Sequence, residues 1–312
     1  MLDLVIIGGS IAGTTAAVYA SRRKLNFKMV TGDIGGEVAL SGEVENWPLT
    51  DHTTGFEMAE KMGAQLKYNG VTPDEGFMVT ELAQGADGKT WRVTATNLSG
   101  ETRVYETIAV IIATGVKPKH LGVPGENEMY HKGVTYCTVC DGPLFKNKIT
   151  TTIGGGNSAL ESALMMATIT KHVFVINKND KFKGEQVLID KLVKLPNVEI
   201  IYNAKTTTIE GDAGVTGVSM SFADGTTRTV ESQGVMIHIG NTPNSQFANV
   251  EKDPVGQIKV DSLCRTNTTG IFAAGDVTNT PYKQIVVAAG MGCTAALAAI
   301  EYINRFDSAP QA

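Results

Sequence analysis

At 312 residues the chain exceeds the length at which one hydrophobic core usually stops growing, so two domains are expected. A hydrophobic content of 42% and a charged content of 19% describe an ordinary folded protein, not a disordered or fibrous one. The net charge of −5 argues against a nucleic-acid-binding surface, and "SRRK" at 21–24 reads as a solvated helix end.

The chain opens with "LDLVIIGGSIAGTTAAVYASRR" from Leu2: a β-rich run, a glycine turn and an alanine-rich helix signal, with the strand "NFKMVTG" after it. That order is a βαβ unit. Its turn, Gly8-Gly9-Ser10-Ile11-Ala12-Gly13, fits G-x-S-x-x-G with serine in the middle. Such a match is weak alone, but the strand before and the helix after are the context of a dinucleotide loop. Residues 78–115 alternate strand signals with DG and SG turns and close on "VIIATG". "VTYCTVCDG" follows at 134–142, placing Cys137 and Cys140 in a CxxC with Asp141 directly after.

Residues 148–169, "KITTTIGGGNSALESALMMATI", repeat the opening design, and "HVFVINK" supplies the next strand. The loop from Gly154 to Ala159 fits G-x-G-x-x-A. Gly154 permits the tight turn, Gly156 lets backbone amides approach a pyrophosphate, and Ala159 lets the helix pack closely on the strand. The helix start at Asn157 and Ser158 adds partial positive charge. Residues 206–240 form a second meander. The closing stretch, 268–303, is a strand, a Gly275-Asp276 turn and a long apolar helix signal. Gly290, Gly292, Thr294 and Glu301 within that stretch favour a buried core helix over a membrane span.

The repeat therefore covers whole domains. The expected fold class is α/β, with two Rossmann-like dinucleotide-binding domains of three-layer ββα design. The first is discontinuous, residues 1–116 and 247–312, and the second, 117–246, carries the CxxC.

A CxxC can be a metal clip, a structural disulfide or a redox centre. Structural zinc needs about four Cys or His ligands. With no second CxxC or close His pair, and His131 the one nearby imidazole, no metal is expected. Four cysteines in so long a chain do not make a secreted disulfide scaffold, and the apolar start lacks a basic leader. The cytoplasm is the expected compartment, where a CxxC is catalytic or metal-binding more often than structural. Cys264 and Cys293 lack a CxxC partner and read as structural.

At "GGEVALSGEVENWP" (35–48), "VIIATGVKPKHLGVPGE" (110–126), "GVTYCTVCDGPLFKNK" (133–148), "GGGNSALESA" (154–163) and the closing "TTGIFAAGDVTNTPYKQIVVAAGMGCTAALAA", in this order and spacing, the whole chain resembles the low-molecular-weight thioredoxin reductases and the similar flavoprotein part of alkyl hydroperoxide reductase. The resemblance implies FAD in the first domain, a pyridine nucleotide in the second, a homodimer, and a rotation of the second domain that alternately presents disulfide and nicotinamide to the flavin. It assigns FAD contacts to Gly8, Ser10, Ile11, Ala12 and Gly13, to Gly35, Gly36, Glu37, Val38 and Asn46, to Thr114 and Gly115, to Gly275 and Asp276, and to Lys283, Gln284 and Ile285. Cys140 would lie nearer the flavin, Cys137 would attack the substrate disulfide, and Asp141 would serve as acid and base. The alkyl hydroperoxide relative carries an additional N-terminal thioredoxin-like module. This chain opens at the FAD strand, so a separate thioredoxin-like protein is the expected electron acceptor.

The second domain departs from the pattern. Reductases that use NADPH usually show a His-Arg-Arg cluster and a further Arg after the "VFVI" strand, whereas here Asn177, Lys178, Asn179 and Lys183 occupy those positions. Gly154, Gly156, Asn157, Ser158, Asn177 and Lys178 are the expected contacts of a second dinucleotide, and three donor readings stay open. In one, Lys178, Lys181 and Lys183 hold NADPH as point charges without arginine's fork. In another, NADH binds through Asn177. In the third, the donor is ferredoxin or another non-nicotinamide source, and the second site is vacant or holds another dinucleotide. A flavin-binding redox sensor or electron-relay module without a thioredoxin substrate is the alternative function.

Overall fold

The computed structural model describes residues 1–308 apart from Gly42 and Glu45; of Glu43, Cys140, Asp307 and Ser308 it describes the backbone only. The chain forms two compact units. One combines Met1–Lys117 with Thr242–Ala312, and the other is Pro118–Asn241.

The first unit is organised by one long strand, Thr102–Ile112. Its C-terminal half pairs in parallel with Leu2–Ile7 on one side and Ile271–Ala273 on the other, while its N-terminal half pairs antiparallel with Trp91–Asn97. Thr107 is the divide, opposite Leu2 on one side and Trp91 on the other. The sequence explains the change. "TRVYE" alternates exposed and buried residues, as befits a strand with one solvated face, and "IAVII" is buried throughout, as befits the centre of a parallel sheet covered on both faces. Phe27–Thr31 and Asp74–Glu75 extend the parallel part, and Phe77–Gln84 extends the meander.

Successive residues of the first strand point to opposite faces. Leu4 and Ile6 join the core beneath the helices, with Met29 and Ile111, and Val5 and Ile7 join the core on the other face, with Val30, Val110 and Ile112. The helix-side layer holds Ile11–Arg22 and the 24-residue helix Ile285–Ser308. By length and composition the latter could cross a bilayer. Here Ala295, Ala296 and Ala299 are fully buried in the core with the parallel sheet and the first helix. A Cβ at Gly292 would stand 2.2 Å from the Ala12 carbonyl oxygen, so the two helices meet backbone to backbone at that point.

The second unit repeats the plan. A parallel sheet runs in the order Val134–Thr135, Gly234–Ile237, Ile149–Ile153, His172–Ile176, Val198–Ile201. Asn157–Ile169 connects two of its strands, and Lys205–Gly211, Val215–Ser221 and Thr227–Glu231 form the antiparallel meander. Both units are thus Rossmann-like α/β folds. The chain returns to the first unit at Thr242, ahead of the expected residue 247. The reason is Asn244. Its N–H donates to the Gly115 carbonyl (3.0 Å), its side-chain amide donates to the Thr114 carbonyl (2.9 Å), and its own carbonyl accepts from the Thr114 hydroxyl (2.6 Å).

Candidate functional site

In the first unit the predicted residues gather at the carboxyl ends of the parallel strands, where open α/β sheets bind ligands. Gly8 has a φ of +115°, and a Cβ there would stand 2.2 Å from the Ala113 carbonyl oxygen, so the loop lies directly on the segment leading to Thr114 and Gly115. Ser10 caps the first helix without a side-chain hydrogen bond to it, leaving the amides of Ile11, Ala12 and Gly13 at an open helix start. The Gly35 N–H donates to the Gly9 carbonyl (3.0 Å), and Gly36 lies against Ser10. Val38, Ile11 and Ile285 share one small apolar cluster. Gly275 packs on Ala12, which brings Asp276 to the same loop. The Lys283 ammonium donates to the carbonyls of Asp276 (3.0 Å) and Thr278 (2.6 Å), and the Asn46 amide donates to Gln284 (3.2 Å).

Charge is uneven in this site. Burial raises the Asp276 carboxyl, against the pull of Lys283. Glu37 is exposed as a residue, yet partial desolvation of its carboxyl raises it, opposed by Lys117 and reinforced by Asp33 and Asp276. Desolvated carboxyl groups are relieved by hydroxyl donors. A dinucleotide with a polyhydroxyl chain matches that demand, and the glycine loop with its open helix start matches a pyrophosphate. The residues present therefore fit FAD. Sequence reading missed Asp33. Its carboxylate accepts from the Gly36 N–H (2.9 Å), and its backbone lies against Gly9. The available signal was an acid about 20 residues beyond the glycine loop, the usual place of a ribose-binding carboxylate.

The second loop has the same build. Gly154 has a φ of +147°, and a Cβ there would meet the His238 carbonyl oxygen at 2.1 Å. Gly156, Asn157 and Ser158 are exposed at the start of the following helix, and Gly156 has open space where a Cβ would be. Asn157 is held by Glu185: its carbonyl oxygen accepts from the Glu185 N–H (2.8 Å) and its amide donates to the carboxylate (2.9 Å). The Asn177 side chain is turned into the loop that follows the strand. It is 1% exposed, donates to the Lys181 carbonyl (2.9 Å), accepts from the Asn179 N–H (3.3 Å) and packs on Gly155. It shapes the loop that follows the strand, while Lys178 faces solvent.

The CxxC follows the edge strand Val134–Thr135, at the same end of the parallel sheet as Gly154; Cys137 precedes the one-turn helix Thr138–Asp141, which holds the other three residues of the motif. Cys137 is disulfide-bonded; the side chain of Cys140 lies outside the described residues. Cys264 and Cys293 are free, and burial pushes the Cys264 thiol up to about 11, so it stays an inert thiol. The buried Thr135 hydroxyl lies within hydrogen-bond reach of the Asp141 carboxylate and accepts from the Cys137 N–H (3.1 Å). The Thr138 hydroxyl lies 2.5 Å from the Ser162 hydroxyl and 2.7 Å from His238 Nε2. Tyr136 donates to the buried Glu126 (2.8 Å) and lies 2.6 Å from His120 Nδ1. None of these partners carries a local sequence signal.

His238 is partly buried, and desolvation lowers its imidazole from 6.5 to about 4. The folded state therefore resists protonation. The stability this group contributes is fully present above about pH 6.5 and is lost as pH falls through about 4. We expect His238→Gln to reduce the acid-side loss of stability in that window by on the order of 2–3 kcal/mol relative to the parent. Denaturant midpoints across the window measure it, and parallel curves for parent and variant would contradict it.

The family model described as pyridine nucleotide-disulphide oxidoreductase matches residues 2–292. Alkyl hydroperoxide reductase F of Escherichia coli is 37% identical over 313 residues, covering 98% of this chain and 59% of that protein. A protein named NADH dehydrogenase from Ferdinandcohnia aciditolerans is 38% identical over 308 residues, covering 97% of this chain and 58% of its own length. The chain thus spans about three fifths of the curated relatives it matches. Among solved structures, thioredoxin reductase from Streptococcus pyogenes superposes with a TM-score of 0.81 at 34% identity, covering 98% of this chain and 99% of that one. With two such folds, their glycine loops and the cysteine turn, this chain belongs to the pyridine nucleotide-disulphide oxidoreductase family.

Proposed function

We propose that the chain is an FAD-dependent disulfide reductase that passes an electron pair from a pyridine nucleotide to the Cys137–Cys140 pair and on to a thioredoxin-like protein. The observation that carries this reading is the disulfide-bonded Cys137 at the carboxyl end of the second parallel sheet, beside an Asp141 anchored by Thr135. FAD, when bound, supplies the two-electron relay. The amides of the Gly8–Gly13 loop would hold its pyrophosphate, Asp276 would accept from a hydroxyl of its chain, and Lys283 fixes the turn that carries Asp276. Uptake of two electrons and two protons opens the disulfide to two thiols, and Asp141 carries protons to and from the turn. The outer thiol, Cys137, attacks the partner's disulfide. Release of the partner as a dithiol closes the Cys137–Cys140 bond again.

NADH is the proposed donor. The Gly154–Gly156 cradle and its exposed helix start suit a dinucleotide pyrophosphate. Lysines without a bidentate fork are a poor grip for the 2′-phosphate of NADPH. One relative is named NADH dehydrogenase. The working protein is proposed to be a homodimer, as its resemblance to the thioredoxin reductases implies, and to work in the cytoplasm, the compartment expected from its cysteine usage.

The test is anaerobic mixing of the flavin-loaded protein with NADH, NADPH or reduced ferredoxin, followed by thiol counting and addition of oxidised thioredoxin. NADH is expected to bleach the flavin fastest and to yield thioredoxin dithiol. Bleaching by ferredoxin alone would move the donor to ferredoxin. Bleaching without dithiol formation would overturn the reductase reading in favour of an electron-relay or sensor module.

A further inference from the structure

The imidazole of His238 has no part in the scheme above, yet it reaches the cysteine turn. Thr138, the residue after Cys137, is 5% exposed, and its hydroxyl contacts both His238 Nε2 (2.7 Å) and the hydroxyl of the 4%-exposed Ser162 (2.5 Å). Ser162 sits on Asn157–Ile169, the helix that starts at the second glycine loop. The His238 carbonyl forms the floor under Gly154 in that same loop. The three groups make a continuous chain of hydrogen bonds from the nucleotide fold to the redox turn, and a neutral imidazole can close it in either direction.

We propose that His238 is a positioning residue of the redox turn, acting through Thr138 and in concert with Ser162 to hold the turn in its disulfide form. The inference rests on the reading of Cys137 and Cys140 as the exchanging pair. Thr138 lies between the two cysteines, so it follows them when the sulfurs part. Ser162 and His238 belong to a helix and to the end of a sheet strand, and they do not follow. Bonds made with the turn closed are weakened when it opens. They therefore favour the disulfide over the dithiol.

The experiment equilibrates the full-length flavin-loaded protein with glutathione buffers and counts trapped thiols at Cys137 and Cys140 by mass spectrometry. Opening the pair consumes two glutathione thiols and yields one glutathione disulfide, so no other oxidant or reductant is required. In Thr138→Val and His238→Leu the dithiol-to-disulfide ratio at fixed buffer should rise by on the order of threefold to tenfold, the range of one net hydrogen bond. Thr138→Ser, which keeps the hydroxyl, should stay at the parent value. The double variant should exceed neither single by much, because both remove the same link. Thr138→Val keeps shape and leaves the core intact, so it carries the test if His238→Leu fails to fold. An unchanged ratio in Thr138→Val, or fully additive effects, overturns the inference alone. A parent pair that never opens in any buffer overturns the reductase reading and this inference together.

Discussion

A Cys140→Ser protein is expected to lose disulfide reductase turnover by at least about three orders of magnitude while still binding flavin and still being bleached by its donor. Serine cannot form the disulfide that accepts the electron pair, and Cys140 shares its unit with no cysteine other than Cys137. Cys264 is buried with a raised thiol pKa, and both Cys264 and Cys293 lie in the other unit of the chain. The glycine loop at Gly8, the Asp276 turn and the start of the last helix are likewise in that other unit, so the substitution leaves them unaltered. Stopped-flow absorbance separates the two steps: flavin bleaching persists while thioredoxin reduction stops. Substantial thioredoxin turnover by Cys140→Ser would mean that electrons leave by another route.

Glu126 carries the second large effect. Its side chain is 1% exposed and accepts three hydrogen bonds, from the N–H groups of Leu121 (2.8 Å) and Gly122 (2.6 Å) and from the Tyr136 hydroxyl (2.8 Å). Glu126→Ala takes the shared buried acceptor from three donors, of which Gly122 is exposed, Leu121 is half-buried and Tyr136 keeps His120 as a second partner. A loss of about 2–3 kcal/mol is expected for the unit Pro118–Asn241. Glu126→Gln, which keeps one carbonyl oxygen, should lose less. Urea unfolding gives the magnitude, and hydrogen exchange at Ile149–Ile153 should localise it to the second sheet. Since Tyr136 adjoins Cys137, the Ala variant should also loosen the redox turn. A loss below about 1 kcal/mol would show that water satisfies the three donors.

The two glycine loops, the meanders and the cysteine turn were legible because each is a local signal. A glycine with positive φ, an alanine-rich helix and a CxxC declare themselves within a dozen residues. Asp33 was equally legible, by its distance from the first loop, and was overlooked. Asn177 is a different case. A strand-end polar residue can face a ligand or its own following loop, and only the fold shows that Lys181 and Asn179 take both ends of the amide.

By itself the sequence determined the repeated βαβ design, the position of the CxxC within the second repeat and the apolar character of the last helix. Backbone conformation and burial periodicity are set by neighbours along the chain, and such constraints leave a local trace. Only the tertiary structure decided what holds the turn. Thr138 meets Ser162 across 24 residues and His238 across 100, because parallel pairing lays Val134–Thr135, Gly234–Ile237 and Ile149–Ile153 side by side. A hydrogen bond between such distant residues has no period and no spacing rule, so it becomes visible only when the sheet has brought its ends together.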